Sequence, residues 1–177
     1  SWYEQIWLGC CKIGKKRVSM QVFCSLPVSG ENQVRLLSEL DKRNLSVIYN
    51  VVSTEDLDRI NKLTILSQFN KEKISLRFSV AIFTTFWIDY CISRGFKHFI
   101  IKGWIGFDLK EKLKFLETID HSVGLEVLDS SEIEGINLEE LGVNKLVLKG
   151  HESGGIVGSE HIHMLFHKVN QLKRDVK

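Results

Sequence analysis

Residues 146–165, LVLKGHESGGIVGSEHIHML, gather many of the groups in this chain that could do chemistry. A short apolar run ends in Lys149, and then come Gly150, the ionisable pair His151–Glu152 and the doublet Gly154–Gly155. Glycines without a Cβ let backbone N–H groups approach an anion or a flat ring, with the positive end of a following helix behind them. The same residues also suit a tight strand-to-helix turn that needs positive φ, so the doublet alone leaves both readings open. Four histidines follow in part: His151, His161, His163 and His167. His163 and His167 are four apart and share a helix face, which a metal site would allow, while His161 and His163 fall on different faces. No acidic third ligand stands at a telling position, so we read a solvated helix face and no metal.

A second set of polar groups interrupts apolar runs farther upstream. Arg77 lies between Leu76 and Phe78, and Glu126 between Leu125 and Val127. With Asn50, Lys102 and Lys149 they mark the ends of successive runs, where parallel α/β folds place their ligands. A charge inside such a fold needs a partner. Arg77 and Glu126 are therefore either members of a structural ion pair or surface layer, or members of a site. There is no Gly-x-Ser-x-Gly elbow, no phosphate-binding P-loop, no paired Cys motif and no dinucleotide fingerprint after the first run.

The elements that must position these groups are legible as a rhythm. The runs SMQVFCS (19–25), LSVIYNVV (45–52), ISLRFSV (74–80), HFIIKG (98–103), VGLEVL (123–128) and NKLVLKG (144–150) read as strands. Between them apolar residues recur at helical spacing: Val34, Leu37 and Leu40; Leu57, Ile60 and Leu63; Ile88, Cys91 and Ile92; Leu109, Leu113 and Leu116. Ser53 with Asp56, Asp108 with Glu111 and Ser131 with Glu134 supply capping signals, and Gly95 supplies a stop. Alternating strands and helices with apolar strands imply an α/β fold with a parallel sheet. Either an open doubly wound sheet or most of a (β/α)8 barrel would satisfy the pattern. The near-even repeat favours the barrel, with about six of its eight units present, an incomplete barrel over residues 19–177. Residues 1–18, with Trp2, Tyr3, Trp7 and Leu8, are expected to cover apolar surface, and Lys15–Lys16–Arg17 to form a solvated loop.

Composition narrows the function classes. The chain has 177 residues, 44% of them hydrophobic, and a formal net charge of +2. That supports one domain with its own core and gives no charge asymmetry for a nucleic-acid or membrane surface. No apolar run is long enough to span a bilayer, and no signal-peptide pattern opens the chain. Cys10, Cys11, Cys24 and Cys91 lack chelating spacing, which suggests a reducing, cytoplasmic setting. The chain opens at Ser1, and a fragment of a longer polypeptide is expected.

The turn Lys149–Gly150–His151–Glu152–Ser153–Gly154–Gly155–Ile156–Val157–Gly158 resembles that of the nitronate monooxygenase family, FMN-dependent (β/α)8 barrels. It is most similar to the barrel-like domain at the N-terminus of type I polyketide or glycolipid synthases. The resemblance covers about residues 74–170. It implies FMN as a possible cofactor touching Lys149, Gly150, Glu152, Gly154 and Gly155, and ketosynthase and acyl carrier domains as partners. Ile156 stands where that family keeps its histidine base, and an aliphatic side chain accepts no proton. The turns that hold the flavin phosphate would fall beyond this chain, so tight FMN binding is not expected. The resemblance thus implies a structural, degenerate barrel domain of a multienzyme. The alternative is an FMN oxidoreductase of nitronate monooxygenase or enoyl-reductase type. Two open sheet edges would favour self-association or recruit residues 1–18 over an edge.

Overall fold

The computed structural model of the protein describes residues 6–12, 20–26, 32–114, 121–134, 136–138, 140–150 and 159–175, with the backbone alone at 6–12, 20–23, 112 and 172–175. Seven strands form a closed barrel. Strand β1 spans Ile6–Lys12, β2 Met20–Ser25, β3 Ser46–Asn50, β4 Ile74–Ser79, β5 His98–Lys102, β6 Ser122–Val127 and β7 Val143–Leu148. Strands β2 to β7 are parallel, each paired with the next. They coincide with the six apolar runs. The fold is α/β, a partial TIM-barrel-like arrangement of six parallel strands.

The seam between β2 and β7 does not stay open. β1 pairs antiparallel with β2 on one side and with β7 on the other, so Cys11 is opposite both Met20 and Leu146. One seven-residue strand from the region expected to cover apolar surface therefore meets two rows of backbone donors and acceptors.

Helices α1 (Gln33–Lys42), α2 (Thr54–Ser67), α3 (Thr85–Ile92), α4 (Leu109–Leu113) and α5 (Ile162–Asp175) occupy the connections. Their apolar stripes face the sheet: Leu37 and Leu40, Leu57, Ile60 and Leu63, Ile88 and Cys91, Leu109 and Leu113, Leu165 and Val169 are all buried. Leu116 lies outside the described residues. The start of α2 is a full capping box. Asp56 N–H donates to Ser53 Oγ at 3.3 Å, and Ser53 N–H donates to Asp56 Oδ2 at 3.0 Å. At α4, Asp108 Oδ1 accepts from Glu111 N–H at 3.1 Å. After α3 the chain turns at Gly95, whose φ is +82° and whose N–H bonds Ile92 O at 2.8 Å.

One expected cap moves. Ser131 sits inside a short 3-10 helix, Ser130–Ile133, and the capping oxygen is Asp129 Oδ1, 3.1 Å from Ser131 N–H. The aspartate has the shorter reach to the first free donor, and the tight helix closes too soon for a Ser131–Glu134 box. The prediction for His161 also needs correction. Its ring lies 5.6 Å from that of His163, because α5 begins only at Ile162 and His161 sits before the helical rotation applies.

The barrel has two apolar regions. Between sheet and helices lie Val47, Tyr49, Ile74, Leu76, Phe78, Phe99, Ile101, Val123, Leu125, Val127, Leu146 and Leu148 among others. Ile48, Ile100 and Val147 form a separate cluster. Each alternates with the outward set along its strand, so these three point into the barrel. They come from β3, β5 and β7, which is the alternate-strand layering of a filled barrel interior.

Candidate functional site

Side-chain alternation carries the interior upward from that apolar layer. Two residues beyond Ile48, Ile100 and Val147 stand Asn50, Lys102 and Lys149, which share their direction. Arg77 and Glu126 alternate with outward-facing Leu76, Phe78, Leu125 and Val127, so both also face inward. Register places Arg77 opposite Asn50 on one side and Ile100 on the other, and Glu126 opposite Val147. The interior therefore rises from a layer of three aliphatic side chains to an Arg77–Glu126 pair, and then to Asn50, Lys102 and Lys149 at the carboxyl ends of the strands.

The backbone under these groups is fixed. Val51 N–H bonds Arg77 O at 2.9 Å, Val80 N–H bonds Lys102 O at 3.0 Å, and Lys149 N–H bonds Val127 O at 2.9 Å. The ladder thus continues past the strand ends and holds each side chain's root. Trp104 adds a brace, its indole N–H donating to the Glu126 carbonyl at 2.7 Å across a buried contact.

Arg77 Nη2 lies 2.9 Å from Glu126 Oε1 and 2.8 Å from Oε2, with both side chains under 10% exposed (8% and 6%). Lys149 is 3% exposed, and Lys102 is half-buried. Burial pushes the Lys102 ammonium below the usual lysine range; Arg77 adds to this and Glu126 opposes it. Burial likewise lowers Lys149, with Glu126 opposing and then Arg77 and Lys102 adding. Each lysine thus feels Arg77 and Glu126, and Lys149 feels Lys102. Asn50 contributes a buried Oδ1 with no hydrogen bond among the described residues.

Arg77, Lys102 and Lys149 about the Glu126 carboxylate give the described part of this mouth its chemical character. Such a cluster attracts an anion and repels a divalent cation. Glu126 is engaged by Arg77. Among the described residues no three His, Cys, Asp or Glu side chains are arranged to hold a metal ion. His167 meets Gln171 at 3.0 Å on the exposed face of α5.

Of the sequence-predicted site residues, Arg77, Lys102, Glu126 and Lys149 converge. Gly150 follows Lys149 and is buried. Glu152, Gly154, Gly155, Ile156 and His151 lie outside the described residues. The reasoning from sequence treated Arg77 and Glu126 singly. Their equal offset from flanking core residues on β4 and β6 was the signal that they share one side of the sheet. Trp104 was not anticipated, because an indole bond to a carbonyl leaves no trace in spacing.

No family model matches the chain, and no curated protein matches it. Solved structures do. A Klebsiella pneumoniae BlrP1 manganese/cyclic-di-GMP complex is 12% identical with a TM-score of 0.37, over 82% of this chain and 55% of that one. The PaMucR phosphodiesterase in complex with c-di-GMP is 11% identical with a TM-score of 0.39, over 71% of this chain and 76% of that one. The EAL enzyme Bd1971 in its cAMP- and cyclic-di-GMP-bound form is 12% identical with a TM-score of 0.44, over 96% of this chain and 63% of that one. The chain spans about half the length of the first of these and under two thirds of the third.

These findings correct the resemblance drawn from residues 149–158. With no family or curated match, and with EAL enzymes as the structural neighbours, assignment to a nitronate monooxygenase-like barrel falls. So do the polyketide synthase multienzyme and the flavin oxidoreductase functions built on it. The physical reason is that a short Gly-rich stretch after a barrel strand answers a backbone demand common to many barrels. Such a motif does not by itself specify chemistry.

Proposed function

We propose that this barrel is a binding domain for a small oxyanion, a ligand bearing a phosphate or carboxylate group, seated at the carboxyl ends of β3 to β7. The observation that carries the reading is the placement of Arg77, Lys102 and Lys149 around the carboxylate of Glu126 in a largely buried mouth. Clustered positive charge in such a place attracts an anionic ligand more strongly than the same charges would in water. Arg77 offers a planar donor fork, while the two lysines act as point charges. Asn50 can add a neutral polar contact through its amide. Cys24 and Cys91 are free thiols, which supports a reducing, cytoplasmic setting. Among the described residues no helix is long and apolar enough to cross a membrane.

Calorimetric titration with inorganic phosphate, acetate and cyclic-di-GMP, the last as a phosphodiester probe, tests the reading. Phosphate is expected to bind at about millimolar Kd, close to 4 kcal/mol, and to weaken about tenfold in Lys102→Met or Lys149→Met. Absence of binding by every probe at roughly ten times that concentration, with the parent chain folded, would sink it.

A further inference from the structure

Lys102 differs from the other cations of the mouth. Arg77 is tied to Glu126, and Lys149 is almost fully enclosed at 3% exposed. Lys102 is half-buried, and its Nζ makes no hydrogen bond or ion pair among the described residues. Its root is held by the ladder, through the bond from Val80 N–H to Lys102 O at 3.0 Å. A positioned, half-buried amine at a barrel strand end, with Arg77 close by, suits nucleophilic attack on carbon.

We propose that Lys102 is a nucleophile that forms an imine with a small carbonyl compound whose acid group is held in the positive field of Arg77 and Lys149. This deepens the anion-site reading and rests on it. The neutral Nζ adds to the carbonyl carbon, and a new N–C bond forms as the C=O π pair moves to oxygen. One amine hydrogen passes to that oxygen to give the carbinolamine. The C–O bond then breaks, the second amine hydrogen leaves with the oxygen as water, and a C=N bond remains. Nothing is oxidised or reduced. Ligand class follows: an aldehyde or ketone that also carries a phosphate or carboxylate, such as a 2-oxo acid or a sugar phosphate.

An ordinary exposed lysine is neutral in only about one molecule in 2,500 at pH 7, so imine formation there is slow. Burial of Lys102, and after it Arg77, raise that fraction against the opposing Glu126, and the anion contact raises the local concentration of the carbonyl.

The test uses the full chain with pyridoxal 5′-phosphate as the probe and cyanoborohydride to reduce and fix any imine, read by peptide mass spectrometry. Labelling at Lys102 is expected to be at least about tenfold faster than at exposed Lys62, and to level off at lower pH. Inorganic phosphate should slow labelling at Lys102 and leave Lys62 unchanged. Lys149→Met, which removes a neighbouring cation and an anion contact, should slow Lys102 without moving Lys62. Equal rates at Lys102 and Lys62 overturn the imine, and if phosphate still binds by calorimetry the anion site stands without it. Fast labelling of Lys102 that phosphate does not slow overturns the acid-group recognition, and the anion-site reading with it.

Discussion

Arg77 and Glu126 join β4 to β6 across the intervening strand, with Arg77 Nη2 2.9 Å from Glu126 Oε1 and 2.8 Å from Oε2. The pair is buried, so breaking it exposes the remaining charge to the interior, at about 3–5 kcal/mol. The two halves are not equivalent. Glu126→Gln removes the carboxylate that Arg77, Lys102 and Lys149 all feel. Arg77→Met leaves Glu126 between two lysines that can still neutralise it. Urea unfolding should therefore show a loss of about 3–5 kcal/mol for Glu126→Gln and a loss at least about 1 kcal/mol smaller for Arg77→Met. Equal losses would mean that Lys102 and Lys149 do not share the carboxylate.

The two lysines give stability a pH dependence. Burial holds Lys102 and Lys149 below the ordinary lysine range in the folded chain. Between the folded values and about 10.4 the unfolded chain binds more protons, so their contribution makes stability rise with pH. Cys91, which burial pushes up to about 12, and Tyr49, also raised by burial, act in the opposite sense once their unfolded forms ionise. A difference measurement isolates the lysine. Unfolding free energy of the parent minus that of Lys102→Met should rise from pH 7 towards pH 10. A flat or falling difference would place Lys102 in water, away from Arg77.

The sequence disclosed the parallel frame because each strand is a short run of β-branched and aliphatic residues bounded by capping signals such as Ser53–Asp56. It disclosed the strand-end charges for the same reason, since Arg77 and Glu126 break otherwise apolar runs. Pairing was harder to see. Arg77 and Glu126 are 49 residues apart, and only barrel curvature and register bring β4 and β6 side chains to one point. The closing strand was hidden as well. Residues Ile6–Lys12, IWLGCCK, carry Gly9 and two adjacent cysteines and show no clean alternation. The register shift between Leu8 and Cys10 is the structural counterpart of that irregularity. The Gly-rich motif misled because glycine spacing of that kind goes with unrelated chemistries.

Closure by β1 yields a prediction on association. Cys11 is opposite Met20 on β2 and Leu146 on β7, so proline there removes an N–H between two ladders and stiffens the backbone where it must bend to both. Freed edges of β2 and β7 would then pair with another copy. Light scattering after size exclusion should show Cys11→Pro shifted to dimers or larger species relative to the parent chain. An unchanged mass with an unchanged melting temperature would show that β1 is not what covers those edges.

Gly124 offers the sharpest test of the filled interior. It lies on β6 two residues before Glu126 and pairs with Ile100 and Lys145. A Cβ added there would meet Lys145 Cβ at 3.2 Å, Lys145 O at 3.5 Å and Ile100 Cγ1 at 3.7 Å. The first contact is tighter than side chains usually accept, and it involves the root of Lys145, not its flexible end. Replacing glycine by alanine in an extended strand ordinarily stabilises by about 0.4–1 kcal/mol through the unfolded chain. Overpacking a filled interior costs about 1–3 kcal/mol. The second effect should win, so Gly124→Ala is expected to lose about 1 kcal/mol, and Gly124→Val clearly more. Because the strain falls one layer below the Arg77–Glu126 pair, phosphate binding should weaken along with stability. A Gly124→Ala chain that is more stable than the parent would mean that β6 and β7 have room between them, and that the carboxylate above is less firmly placed than its bond to Arg77 implies.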